Sequence, residues 1–346
     1  MSTPTLATAP PPVDSLGRVT TGEAAALAAL AAAHGGERSQ VNRAAQESVT
    51  ALWRAINRGD LSGGWAAQRN RAATYLELAQ RSAASGSAAY VQRALAVQGI
   101  EVERPQVNVA AFSGLTSDGR GLDGLLVGGV VATKRAIASG RSPDQAMLIG
   151  ERYLRIAVQG EVADAQTAAD QVALVAASAG GSPSGQLQTV GWVRMLNPPS
   201  CGRCAVLAGR FYRWSDGFDR HENDDCTHVP ALEALDDDLT TDPDKYFASL
   251  SPDQQKRYFG KANAEAIDAG SNIAKVMNAS TRKGSLYTIG DKRFTMEGTT
   301  RRGYYSKVST AGRAKERRPT PYQIMKDAAG SKGEALRLLY RYGYVV

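Results

Sequence analysis

All three cysteines of this chain and two of its three histidines fall in one 28-residue window, as Cys201, Cys204, His221, Cys226 and His228. Their spacing is C-x2-C-x16-H-x4-C-x-H. Thiolates and imidazoles, four to an ion, are the ligands of structural zinc, and such sites commonly begin with a C-x2-C turn. Cys201-Gly202-Arg203-Cys204 has that spacing, with Gly202 able to take the positive φ of a tight knuckle. Cys226 and His228 stand two apart, so on extended backbone they point to one face. Scattered thiols beside surface histidines, or a disulfide, are the alternatives. The clustering favours one zinc ion held by four of the five residues.

Charge supplies the second candidate site. Residues 281–346 hold 15 Lys/Arg against 5 Asp/Glu, a net +10, whereas residues 1–280 hold 26 against 29, a net −3. So abrupt a shift points to a polyanionic partner, nucleic acid or an acidic protein surface. A solvated basic arm without a dedicated partner is the bland alternative. The candidate nucleic-acid contacts are Arg282, Lys283, Lys292, Arg293, Arg301, Arg302, Lys307, Arg313, Arg317 and Arg318. Contacts from Lys and Arg to phosphate confer affinity without reading sequence, so the expected binding is to double-stranded DNA of any sequence.

The elements that must position these residues read as mainly α, with a small α+β metal-clipped core. Apolar residues at three- and four-residue spacing predict helices through Thr21 to about Ala177, one of them closing at the AAAHGGE string that holds His34. Ser142-Pro143-Asp144-Gln145 is a helix start, and the helix it opens is expected to end before Gly160, with another from about Val162. Glu101 to Gly129 reads as a Gly-rich loop. QTVGWVRML and GRFYRW are strand candidates flanking the C-x2-C turn. The expected divisions are a disordered tail over 1–20, a helical domain over 21–179, a linker over 180–186 and a core with the Cys/His motif and following helices over 187–280. A basic extended arm follows over 281–319 and a helical hairpin over 320–346. Ser251, Thr320 and Ser331 each head a capping-box pattern.

No apolar run approaches the roughly 20 residues of a membrane span. The N-terminus has neither the basic start nor the apolar stretch of a signal peptide. Three cysteines cannot all pair, which fits a reducing compartment. The expectation is a soluble protein made in the cytoplasm with no membrane partner.

The string CGRCAVLAGRFYRWSDGFDRHENDDCTHVP resembles the cysteine/histidine core of the Mu F-like minor capsid (head morphogenesis) proteins of tailed phages, especially those of actinobacterial hosts. FSGLTSDGRGLDGLL upstream, then RYFGKANAEAIDAGSNIAKVMNAS, FTMEGTTRRG and TPYQIMKDAAGSKGEALRLLYRYGYVV extend the similarity over about residues 110–346. The second half of the metal motif in such relatives tends to read R-H-P-x-C-D-C-x-H. Here Asp224 stands where the earlier cysteine would be, leaving open whether it ligates through oxygen or whether Cys201, Cys204, Cys226 and one histidine close the site. The resemblance implies a virion component inside the head near the portal. Its implied partners are the portal, major capsid or scaffolding protein and the genomic DNA, during assembly, packaging or ejection.

Similar chains are often labelled capsid maturation protease, which raises an enzymatic alternative. A serine protease needs a base in reach of its nucleophile. His221 and His228 are claimed by the metal motif, His34 is explained by a helix C-terminus, and no G-x-S-x-G string occurs. An HNH-type nuclease is weaker still: Cys226-Thr227-His228-Val229-Pro230 has Thr227 where such a core has Asp, and the acidic run at Asp236, Asp237, Asp238, Asp242 and Asp244 reads as a solvated face. The expectation is a chain that is not an enzyme. Its terminal hairpin reads as a packing element rather than a DNA-reading helix-turn-helix.

Overall fold

The computed structural model describes residues 22–179, 190–196, 198–213, 226–232, 242–281, 284–297, 299 and 317–345. The chain is mainly helical with two small three-stranded sheets. Its contacts fall into two compact units, one of Val19–Asn197 with Gly209–Thr240 and one of Pro198–Ala208 with Thr241–Val346. The expected core over 187–280 is thus shared between them. The expected tail over 1–20 and linker over 180–186 lie outside the described residues. No helix among the described residues is long and apolar enough to cross a membrane.

The first unit is a helical bundle carrying a sheet. Its helices are α1 (Gly22–Arg54), α2 (Leu61–Ser85), α3 (Ser87–Val97), α4 (Leu122–Leu126), α5 (Gly128–Ala138) and α6 (Pro143–Ala179). One apolar cluster gathers Trp53, Trp65, Leu76, Leu126 and Leu154 between α1, α2, α4 and α6. Trp53 and Trp65 meet edge to face at 5.3 Å, and their indole N–H groups donate to the Met147 and Leu126 carbonyls at 3.1 and 2.9 Å. A buried indole keeps its large apolar surface only if its polar edge finds such an acceptor. A second cluster packs Leu27, Tyr90, Leu95 and Leu174 against Trp192, Val193 and Val229 of the sheet. That sheet is antiparallel, in the order β2-β1-β3, with β1 (Val190–Met195) central, β2 (Phe211–Arg213) on one side and β3 (Thr227–Leu232) on the other.

Three boundaries differ from the sequence reading, two for one reason. No helix ends at AAAHGGE: α1 runs through Gly35 and Gly36, burying Ala31, His34 and Arg38 along one stripe. Nor does a helix end before Gly160, since α6 continues with Val158 and Val162 fully buried on either side. A mid-helix glycine costs about 1 kcal/mol, which the packing of both flanks outweighs. The third difference lies in the stretch from Glu101 to Gly129, which is not all loop. It contains a short 3-10 turn at Val109–Phe112 and the helix α4, closed by the buried Leu122 and Leu126.

The second unit contains α7 (Gly202–Leu207), α8 (Pro243–Ser249), α9 (Pro252–Phe259), α10 (Lys261–Asp268) and α11 (Ile273–Thr281). The hairpin β4 (Leu286–Ile289) and β5 (Lys292–Thr295) follows, joined by β6 (Arg318–Pro319) in the order β4-β5-β6. The helices α12 (Pro321–Asp327) and α13 (Lys332–Arg341) close the chain. Of the four caps read from sequence, Ser142 and Ser251 make both arms of the box. Thr320 and Ser331 accept the N3 amide, but their partners reach elsewhere, Gln323 to the Arg293 amide and Glu334 to Arg337.

Two glycines in α6 test this packing in opposite directions. A Cβ on Gly150 would collide with Thr133, Trp53 and the Gly129 carbonyl, whereas one on Gly160 meets nothing within 4 Å. Gly150→Ala is expected to lower the unfolding free energy in urea by about 1–3 kcal/mol. Gly160→Ala is expected to raise it by up to about 1 kcal/mol.

Candidate functional site

Cys226 and His228 belong to β3 and its approach, and both are buried. The strand pairs with β1 along one edge only, with Arg194 opposite His228 and Trp192 opposite Pro230. Its other edge meets side chains from the bundle. Tyr90 donates its hydroxyl to the His228 carbonyl at 2.7 Å, and Gln98 donates to the Pro230 carbonyl at 3.0 Å. The Leu232 amide donates to the Gln98 side-chain oxygen at 2.6 Å, and Arg38 reaches the Cys226 carbonyl at 3.5 Å. Residues 226, 228, 230 and 232 are alternate positions, the ones whose backbone groups face one edge of a strand. Three side chains, from α1, α3 and the C-cap of α3, therefore stand where a fourth strand would pair.

Behind this edge lies a buried polar spine. The Tyr90 ring stacks on His34 at 4.1 Å and 14°. His34 Nε2 lies 2.9 Å from Asp170 Oδ1, and Gln166 Nε2 lies 3.3 Å from His34 Nδ1. Because the Gln166 amide donates, Nδ1 accepts and the Nε2–H points to Asp170. Burial holds the Tyr90 phenol well above its ordinary range, with the Asp170 charge adding to the shift, so it serves as a hydroxyl donor. The sequence reading placed His34 at a helix C-terminus. The missed signal is its register with Leu27 and Ala31 on the buried stripe of α1.

Cys201 and Cys204 belong to the second unit, at the start of α7. The Cys201 sulfur caps the helix, accepting the Cys204 amide at 3.5 Å, and the two sulfurs lie 3.5 Å apart. Gly202 is not the positive-φ pivot of a knuckle; it occupies the first helical position. A Cβ there would strike Phe259 and Met277, so close packing is what requires glycine. His221, Asp224 and Asp236 to Asp238 lie outside the described residues. Among the described residues, no group of three or more His, Cys, Asp and Glu side chains could hold a metal ion.

The basic candidates separate as sharply. Arg282, Lys283, Arg301, Arg302, Lys307 and Arg313 lie outside the described residues. Lys292, Arg293 and Arg317 are exposed, with the Arg293 guanidinium over the Tyr322 ring at 4.7 Å. Arg318 is a correction: it is 2% exposed and sits over the Tyr344 ring at 4.0 Å. Its guanidinium donates to the Glu297 and Tyr342 carbonyls at 2.7 and 3.0 Å. A buried guanidinium committed to backbone carbonyls holds the sheet to the C-terminal residues and is out of reach of a phosphate.

One titratable group escaped the sequence reading. Glu161 lines a cavity of about 280 Å³ in the first unit with Gln80, Phe112, Thr116, Ser117 and Asp164. Burial pushes its carboxyl up to about 7 despite the Ser117 amide donating to it at 2.9 Å, and the charges of Asp164 and Asp118 add to the rise. Asp118, hydrogen-bonded by Arg120 and Thr116, is held at about 2. The legible signal was the register of Glu161 with Val158, Val162 and Ala165 on one face of α6.

A raised folded-state pKa means that folding favours the protonated acid. That stabilisation is complete below the ordinary value of 4.5 and is lost as pH rises through about 7. Glu161→Gln should therefore match the parent protein near pH 4. By pH 8 it should exceed the parent's unfolding free energy by about 2 kcal/mol. A difference that stays constant across this range in urea titrations would contradict the assignment.

Comparison with family models, with curated proteins and with solved structures finds no match to this chain.

Proposed function

We propose that this chain is an internal minor capsid protein of a tailed-phage head. In this reading it is made in the host cytoplasm, binds the portal, scaffolding or major capsid protein, and contacts genomic double-stranded DNA without sequence preference. The motif resemblance set out above supports the family. The observation that carries the DNA contact is charge: the net +10 of residues 281–346 includes Lys292, Arg293 and Arg317, which are exposed on the second unit.

A zinc ion held by four of Cys201, Cys204, His221, Cys226 and His228 belongs to the same reading. The donor set suits the ion, and the 3.5 Å between the Cys201 and Cys204 sulfurs is close to what one ion asks. Zinc–sulfur bonds of about 2.3 Å in a tetrahedron place two sulfurs about 3.8 Å apart. Such an ion would contribute folding energy and no reaction.

The proteolysis alternative finds little support in the disposition of His34, the histidine outside the metal motif. Both ring nitrogens of His34 are engaged, one by Asp170 and one by Gln166, and the residue is 4% exposed. A general base must present a ring nitrogen to a nucleophile and a substrate, and His34 presents neither.

Co-expression with portal, scaffolding and major capsid proteins should yield heads that contain this chain, with no dependent cleavage of any component. The purified chain should retain duplex DNA with a steep salt dependence. Replacing Lys292, Arg293 and Arg317 by Ala should reduce the log–log salt slope by about three. Heads that exclude the chain, or a slope unmoved by the triple change, would contradict the proposal.

A further inference from the structure

The two sulfurs at the start of α7 have a chemistry that metal binding does not exhaust. They lie 3.5 Å apart as thiols, with Cys201 partly exposed and Cys204 at 1% exposure. A disulfide requires about 2.05 Å between sulfurs. Both residues sit in one turn of folded backbone, so no distant chain segment must be drawn in to close the remaining gap. The difference in exposure fixes an order of events: one sulfur meets a reagent from solvent, and the other waits behind it.

We infer that Cys201 and Cys204 are a redox-active dithiol, which a small-molecule disulfide of the glutathione class converts to an intrachain disulfide, a state that cannot hold a metal ion. The clause about metal rests on the zinc reading above; disulfide formation does not. The Cys201 thiolate attacks one sulfur of the reagent, forming a mixed disulfide and expelling one thiolate. The Cys204 thiolate then attacks the Cys201 sulfur, forming the intrachain bond and expelling the second. The protein dithiol gives up two electrons and the reagent disulfide takes them, ending as two thiols that carry the two protons. Cys226, at 1% exposure, is shielded from the first step. Thiolate-bound metal blocks attack at the sulfur it holds, so a zinc-loaded pair resists the reagent until the ion leaves.

The test uses the full chain, stripped of metal by a chelator, equilibrated with graded mixtures of oxidised and reduced glutathione. Thiols are then alkylated and peptides mapped by mass. The expected product is a Cys201–Cys204 peptide about 2 Da lighter than its reduced form, with both sulfurs protected together. Cys204→Ala should stop at a glutathione adduct on Cys201. Far-UV circular dichroism confirms that this variant folds, and if it does not, the identity of the native product decides alone. Full alkylation of both sulfurs under oxidising mixtures would overturn the inference. So would a persistent adduct on the native chain, or a crosslink to Cys226. In a parallel arm with stoichiometric zinc, oxidation should slow by at least about 10-fold. Equal rates there would overturn the metal clause, while the product of the first arm still decides the dithiol.

Discussion

The outer edge of β3 is the constraint on which the first unit turns. An unpaired strand edge presents a row of amides and carbonyls that must find partners or water, and an exposed one invites other chains. Here Tyr90 and Gln98, with Arg38 more distantly, meet that row from α1, α3 and the C-cap of α3. The sheet therefore gains hydrogen bonds without gaining a strand, and the helices gain a fixed seat. Each such bond has a modest net worth, about 1 kcal/mol, but leaving a buried carbonyl without its partner costs more. The His34–Asp170 hydrogen bond behind Tyr90 extends this logic, since a buried carboxylate that loses its donor is left unsatisfied. The strand so held carries His228 and directly follows Cys226.

The second unit is organised by a different residue of the same kind. Arg318 sits at the centre of its C-terminal part, bridging carbonyls of Glu297 and Tyr342 beneath the Tyr344 ring. Tyr344 in turn donates its hydroxyl to the Pro319 carbonyl at 2.8 Å. A cation held among carbonyls and over an aromatic face is stabilised by charge-assisted hydrogen bonds and by the ring's negative face. That leaves Lys292, Arg293 and Arg317 as the basic groups displayed on the described surface among the ten named from sequence.

Local patterns carried much of the fold, and what they missed was decided by tertiary contact. Helix starts at Ser142, Ser251, Thr320 and Ser331 were legible because a cap is a local hydrogen bond between residues three apart. The strands around Trp192 and Phe211 were legible from β-branched and aromatic runs. Helix ends at Gly35 and Gly160 were misread because burial of both flanks overrides a glycine's preference. His34 and Arg318 were misread and Glu161 went unnoticed for one reason: each is a charged or titratable type whose burial depends on partners 21 to 136 residues away. The C-x2-C spacing was visible at once. That Gly202 is demanded by Phe259 and Met277 rather than by a turn was not.

The most direct test of this account is native-state hydrogen exchange at the Leu232 amide, which donates to the Gln98 side chain at 2.6 Å. In Gln98→Ala that amide should exchange about 10-fold faster or more, together with loosening along β3, while amides in the middle of α2 keep their rates. If Leu232 and α2 change by the same factor, or if neither changes, side chains do not hold the edge of β3 in the way described.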